Sequence, residues 1–168
     1  MNKYMFIDAE TDGLYGPFLS IAAIVCDAEG EEESIFYACR SCTPEEITEE
    51  WVLENVYPYL KSDNLYEEEE GLLSSFWRFY MEHKDCICIG DVIYPVESRL
   101  FERCVRANLS ERSFQGPYPL MDLSSMLYVR GMDPLTERSS LMNRSDYIPH
   151  YALDDVRMSI AIWKKYIR

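Results

Sequence analysis

The sequence predicts one mixed α/β domain over residues 1–168: a five-stranded sheet, its first three strands antiparallel, flanked by helices. Three observations predict it. Apolar runs at 3–7 and 18–27 lie either side of a turn-rich link, Asp12-Gly13-Leu14-Tyr15-Gly16-Pro17. A third run, 33–39, follows the short turn Ala28-Glu29-Gly30 and completes a meander. Further on, apolar residues recur at helical spacing and are interrupted by two short strand-like runs, giving the order β-β-β-α-α-β-α-β-α-α.

The first run ends in two carboxylates, Asp8 and Glu10, one residue apart. The second is apolar enough for the middle of a sheet. Thr43-Pro44-Glu45-Glu46 announces a helix, with an N-cap Thr, Pro at the first helical position and Glu three residues after the cap. That helix brings Trp51, Val52 and Val56 to one side before Pro58. Residues 65–83 read as a longer helix with Leu72, Leu73, Phe76, Trp77, Phe79 and Tyr80 supplying its core. A short buried strand, 86–89, delivers Gly90-Asp91, and 96–108 is helical with several Arg. A fifth strand at 118–121 leads into a short helix at 122–129, and 130–147 reads as a long polar loop. The chain closes with an amphipathic helix over 150–166, Leu153, Val156, Ile160 and Trp163 inward.

A hydrophobic content of 48% in 168 residues supports a compact core. No apolar stretch reaches the ~18 residues of a membrane span. The N-terminus lacks the basic-then-apolar layout of a signal peptide, so a cytoplasmic protein with no membrane partner is expected. Six Cys fit that placement as free thiols, and Cys39-x-x-Cys42 has no second pair to complete a zinc site. The net charge of -14 argues against indiscriminate nucleic-acid binding. The charge is uneven, however: residues 1–96 hold 21 acids and 5 bases, residues 97–168 hold 9 acids and 11 bases. That asymmetry allows a local phosphate-binding rim suited to a short or single-stranded substrate.

Chemistry concentrates at the two ends of the chain. Residues i and i+2 of a strand share a face, so Asp8 and Glu10 point to one place, and their mutual repulsion calls for a divalent cation. His150 precedes the last helix and stands five residues before Asp155, with Asp154 a competitor, and Asp91 sits at a strand end. A metal held by such acids lowers the pKa of a bound water, and a nearby imidazole can accept that water's proton near pH 7. Oxygen ligands of this kind indicate Mg²⁺ or Mn²⁺.

These separated pieces resemble the DEDDh 3′-to-5′ exonucleases, whose fold is ribonuclease H-like. The match runs from Asp8-Ala9-Glu10-Thr11-Asp12-Gly13-Leu14 through Ser20-Ile21-Ala22 to His150-Tyr151-Ala152-Leu153-Asp154-Asp155. Within that superfamily, Trp51-Val52-Leu53-Glu54-Asn55-Val56-Tyr57-Pro58 looks like a helix of the exoribonuclease group first described from mycobacteria. The resemblance implies two metal ions per site, Asp8, Glu10 and Asp155 binding the first, and Asp8 with Asp91 serving the second, Glu97 being the alternative to Asp91. It implies His150 as general base. It places Leu14 where relatives wedge against the terminal base and Thr11 near the 3′ end. Arg144 and Arg157, flanking the His150 region, are candidate phosphate contacts.

The expected function is therefore a metal-dependent 3′-to-5′ exoribonuclease releasing 5′-monophosphates from single-stranded or short RNA. By the same resemblance a homodimer is expected. A proofreading-type DNA exonuclease is the runner-up, and a non-catalytic module docking a protein on its acidic half is the reading from another class.

Overall fold

The structure, a computed structural model, describes residues 3–142 and 146–168. At its centre is β1 (Tyr4–Thr11), which continues into β2 (Phe18–Cys26) and β3 (Glu32–Arg40) as an antiparallel meander. Every residue of β2 is buried, because helices cover both of its faces.

After β3 the chain departs from the expected single helix. Pro44–Glu46 forms one 3₁₀ turn, in which the Glu46 carboxylate accepts the Thr43 amide at 2.7 Å, and α1 (Glu50–Asn55) starts only afterwards. The break falls where Asp12 takes the Thr48 amide and hydroxyl, both at 2.8 Å, and the Glu49 amide at 3.0 Å. Burial works against the Asp12 charge, but these bonds outweigh it and hold its carboxyl below the ordinary value. Asp12 sits in its turn as the sequence suggests, yet its carboxylate serves the start of a helix nearly forty residues away.

Residues 65–66 also depart from expectation. They form β4 (Leu65–Tyr66), parallel to β3, and α2 (Glu69–Glu82) begins later than the helix expected from residue 65. The edge amides of Cys39 and Ser41 donate to the carbonyls of Asn64 and Tyr66, at 3.1 and 2.8 Å, and that pairing prevails over helix propensity. β5 (Ile87–Gly90) runs parallel to β1 on its other side, followed by α3 (Val96–Arg106) and α4 (Leu109–Arg112). β6 (Leu120–Asp122) pairs parallel to β5 and leads into α5 (Leu123–Val129). Within the expected 130–147 loop lies a short helix, α6 (Arg138–Leu141), and α7 (Ala152–Tyr166) ends the chain. The sheet thus has six strands rather than five, in the order β4-β3-β2-β1-β5-β6.

The period of two along β1 divides the core. Met5, Ile7 and Ala9 pack with Phe76 and Trp77 of α2 and Leu100 and Phe101 of α3. Phe6 packs on the opposite face with Leu123 and Leu127 of α5 and Val156, Ile160 and Trp163 of α7. Each such large side chain, fully buried, contributes roughly 1.5–3 kcal/mol. Asp8 and Glu10 share the parity of Phe6 and so face α7. No described helix is long and apolar enough to cross a membrane.

Candidate active site

Because β1 and β5 are parallel, their carboxyl ends emerge at one edge of the sheet, where open α/β sheets place their ligands. β1 outlasts its neighbour. The β1–β5 pairing stops at Ile7 and Gly90, and Asp8, Ala9 and Glu10 continue past it. On the other side β2 still pairs with Asp8 through Ala22 and with Glu10 through Ser20, so the backbone there is held firmly.

α7 opens at the same edge. His150 adopts φ +62°, a left-handed conformation that costs a non-glycine residue about 1 kcal/mol. This tight turn out of Pro149 lets the His150 amide bond the Asp155 carboxylate one helical turn on. Glu10, His150 and Asp155 each bring a ligand atom within 4.8 Å of the other two. Asp154 instead accepts the Ile148 amide at 3.0 Å, leaving Asp155 as the acid in the group.

Trp51 packs its ring edge-on against the His150 imidazole, centroids 4.8 Å apart. The sequence placed Trp51 on the buried side of its helix with Val52 and Val56. Only those two enter the core, packing on Leu19, whereas Trp51 is 53% exposed. The cause is angular: positions four apart share a helix face, and Trp51 is turned ~100° from Val52. Burial also lowers the His150 pKa, favouring the neutral imidazole at pH 7.

The acids are crowded. Burial, and then the charges of Glu10, Glu97, Asp155 and Asp91, push the Asp8 carboxyl well above its ordinary value. Burial alone raises Glu10 to about 7. Burial followed by the Glu10 charge raises Asp155 to about 7. Glu97, in the first turn of α3, is only 4% exposed and raised to about 8, chiefly by burial. Asp8 Oδ2 is buried and accepts no hydrogen bond among the described residues. Carboxylates packed this closely, one with an orphaned oxygen, are the donor set a divalent cation requires.

The remaining candidates are placed differently. Asp91 leaves the end of β5 and binds the Arg138 guanidinium with both oxygens, at 2.7 and 2.9 Å. The Thr11 hydroxyl donates to the Gly13 carbonyl at 2.6 Å, and Leu14 stands 61% exposed in the same turn. Arg157 pairs with Glu32 at 3.0 Å. Glu32 is in register with Cys26 and hence with Tyr4, at the end of the sheet opposite Glu10. Arg144 lies outside the described residues. Two residues deserve more weight than the sequence suggests. Glu97 ranks in the sequence only as the alternative to Asp91, and Arg138 looks like one more Arg in a polar loop; their proximity in space raises both.

The architecture matches the ribonuclease H-like exonuclease fold. No family model matches the chain, and no curated sequence matches it. Solved structures do. Exonuclease I from Methylocaldum szegediense superposes with a TM-score of 0.69 at 16% identity, covering 98% of this chain and 40% of that one. E. coli exonuclease I in complex with a 5cy-dA13 oligonucleotide gives 0.69 at 15% identity with the same coverage, and the zinc-bound form of an E. coli ExoI–ssDNA complex gives 0.64 at 15%. The chain spans about 40% of the length of these structures. At such identity the likeness concerns the fold.

Proposed function

We propose that the protein is a metal-dependent 3′-to-5′ exonuclease acting on single-stranded nucleic acid. The observation that carries this reading is the convergence of Glu10, His150 and Asp155 within 4.8 Å, beside the buried unpaired oxygen of Asp8. Asp8, Glu10 and Asp155 would hold the metal, and their oxygen donors favour Mg²⁺ or Mn²⁺. A divalent cation bound there offsets phosphodiester charge and makes a nearby water acidic enough to lose its proton near neutrality.

The chain's own contribution is a positioned base. Neutral His150, held by its left-handed backbone and the Trp51 ring packed against it, takes the proton of the attacking water. The water oxygen then forms the new bond to phosphorus as the bond to the 3′-oxygen of the penultimate nucleotide breaks, that oxygen takes a proton from solvent to become the new 3′-hydroxyl, and a 5′-monophosphate leaves. Asp155 orients His150 through its bond to the backbone amide.

RNA is the favoured substrate, on the resemblance of the segment from Trp51 to Pro58. DNA is the second reading, favoured by the oligodeoxynucleotides bound in the solved exonuclease I structures. The test incubates 5′-labelled single-stranded RNA and matched DNA with Mg²⁺ or Mn²⁺, and with EDTA as control. A metal-dependent ladder shortening from the 3′ end is expected, with RNA degraded faster. No shortening of either strand would sink the exonuclease reading.

A further inference from the structure

Two acids compete for the fourth place beside Asp8, Glu10 and Asp155. Asp91 directly follows the β5 strand end, and Glu97 stands in the first turn of α3. Their surroundings are opposite.

Both Asp91 oxygens are taken by Arg138, through Nε at 2.7 Å and Nη2 at 2.9 Å. The rest of that guanidinium is spent as well: Nη1 donates to the Thr136 carbonyl at 2.5 Å, and Nη2 also donates to the Ser124 hydroxyl and to the Pro134 carbonyl at 3.2 Å. The pair is largely buried, with side-chain exposures of 11% for Arg138 and 19% for Asp91. A fork-on-fork pair of this kind directs the carboxylate's lone pairs at the guanidinium and neutralises its charge. A divalent cation on the same oxygens would have to approach a fixed positive charge. What the pair does accomplish is mechanical. It ties the segment around Pro134, Thr136 and α6 to the end of β5 and to α5. That segment walls a cavity of about 250 Å³ whose lining includes Arg138, Ser139, Met142, His150 and Asp155.

Glu97 has no such partner. It is 4% exposed and makes no salt bridge among the described residues. The Ala9 amide donates to its carboxylate, so the side chain crosses the vacant edge of β1 beyond the last β1–β5 pair, between Asp8 and Glu10. Gly90 keeps the passage open: a Cβ there would lie 3.3 Å from Glu97 Cγ and 3.0 Å from Ile93 Cγ2. A buried, unneutralised carboxylate threaded through a glycine gap to reach two others is costly in isolation, and a shared cation removes that cost.

We propose that Glu97, and not Asp91, is the fourth carboxylate toward the metal, and that Asp91 is a positioning residue acting through Arg138 on the wall of the His150 cavity. The proposal rests on the metal-dependent reading of the site. Its test is Mn²⁺ binding, followed by titration calorimetry and by loss of the free-Mn²⁺ resonance signal, on the wild type, Glu97→Gln, Asp91→Asn, Arg138→Gln and, as reference, Asp8→Asn. Circular dichroism checks the fold of each. Glu97→Gln is expected to weaken Mn²⁺ binding at least tenfold, as Asp8→Asn does, without lowering the melting temperature of the metal-free protein. Asp91→Asn and Arg138→Gln are expected to bind Mn²⁺ within about threefold of wild type, to melt earlier, and to raise KM for an oligonucleotide more than they lower kcat. Glu97→Asp, one methylene shorter, should fall between wild type and Glu97→Gln, which guards against a folding defect in the Gln variant. Loss of Mn²⁺ binding in Asp91→Asn with retention in Glu97→Gln overturns the assignment, as do equal losses in both. If the wild type binds no Mn²⁺, the metal reading itself fails and this assignment with it, a result separable from the others because it appears before any substitution is made.

Discussion

His150 combines three local features: a left-handed backbone, a ring packed on Trp51, and a pKa lowered by burial. Replacing it by Ala is expected to lower kcat by about 10²–10⁴, the usual weight of a general base. In the wild type, kcat/KM should fall as pH drops through the lowered His150 value, below the ordinary 6.5, and that acidic limb should vanish in the variant. Trp51→Ala uncovers the ring, so the His150 pKa should rise toward 6.5, observable by titrating its imidazole resonances. The carboxylates act in the opposite sense on stability. Asp8, Glu10, Glu97 and Asp155 all have folded-state values raised above the ordinary 3.8 or 4.5, three of them to about 7 or 8. A raised acid contributes stability that is present below its unfolded value and lost as pH rises through its folded one. The contribution of His150, whose value is lowered, is instead present above 6.5 and lost on acidification, but it is one group against four. Urea denaturation in EDTA should therefore show the protein losing stability between about pH 4 and pH 8. A flat or rising profile would contradict the crowding of these acids.

At the scale of elements, the site depends on how strand and helix ends are tied off. Asp12 holds the β1–β2 link to the start of α1 with three hydrogen bonds. Asp12→Ala removes all three hydrogen bonds at the start of α1 and is expected to cost about 1–2 kcal/mol in a denaturation curve. It should also reduce activity, because α1 carries Trp51 to His150. The strand character of 3–7, the glycine turns and the closing amphipathic helix were readable from periodicity and turn residues alone. β4 was not, since Leu65 and Tyr66 adopt strand only because the edge of β3 offers amides to their neighbourhood. Nor was the contact of Trp51 with His150. The four-residue spacing of Val52 and Val56 does set Trp51 off their face, but that it meets His150 is decided by packing between elements.

The whole molecule brings residues 8–10, 97 and 150–155 together by placing β1 centrally between an antiparallel meander and a parallel pair. On the proposed metal-dependent reading, a cation would offset the repulsion among the acids gathered at this point. Mg²⁺ or Mn²⁺ at about 100 times its dissociation constant should add about 2.7 kcal/mol of stability, read as a rise in melting temperature that EDTA reverses. Absence of any shift would count against a metal site here. By itself the sequence determined the antiparallel meander, the later strand-and-helix alternation without β4, and the closing helix, because these follow from period two, turn residues and helical spacing; its family resemblance singled out Asp8, Glu10, Asp91, His150 and Asp155. Tertiary structure alone decided that Glu97 lies buried among the acids while Asp91 is bound by Arg138. The reason is physical: an ion pair 47 residues apart in sequence and a side chain passing through the gap at Gly90 are set by packing between elements, which no local pattern records.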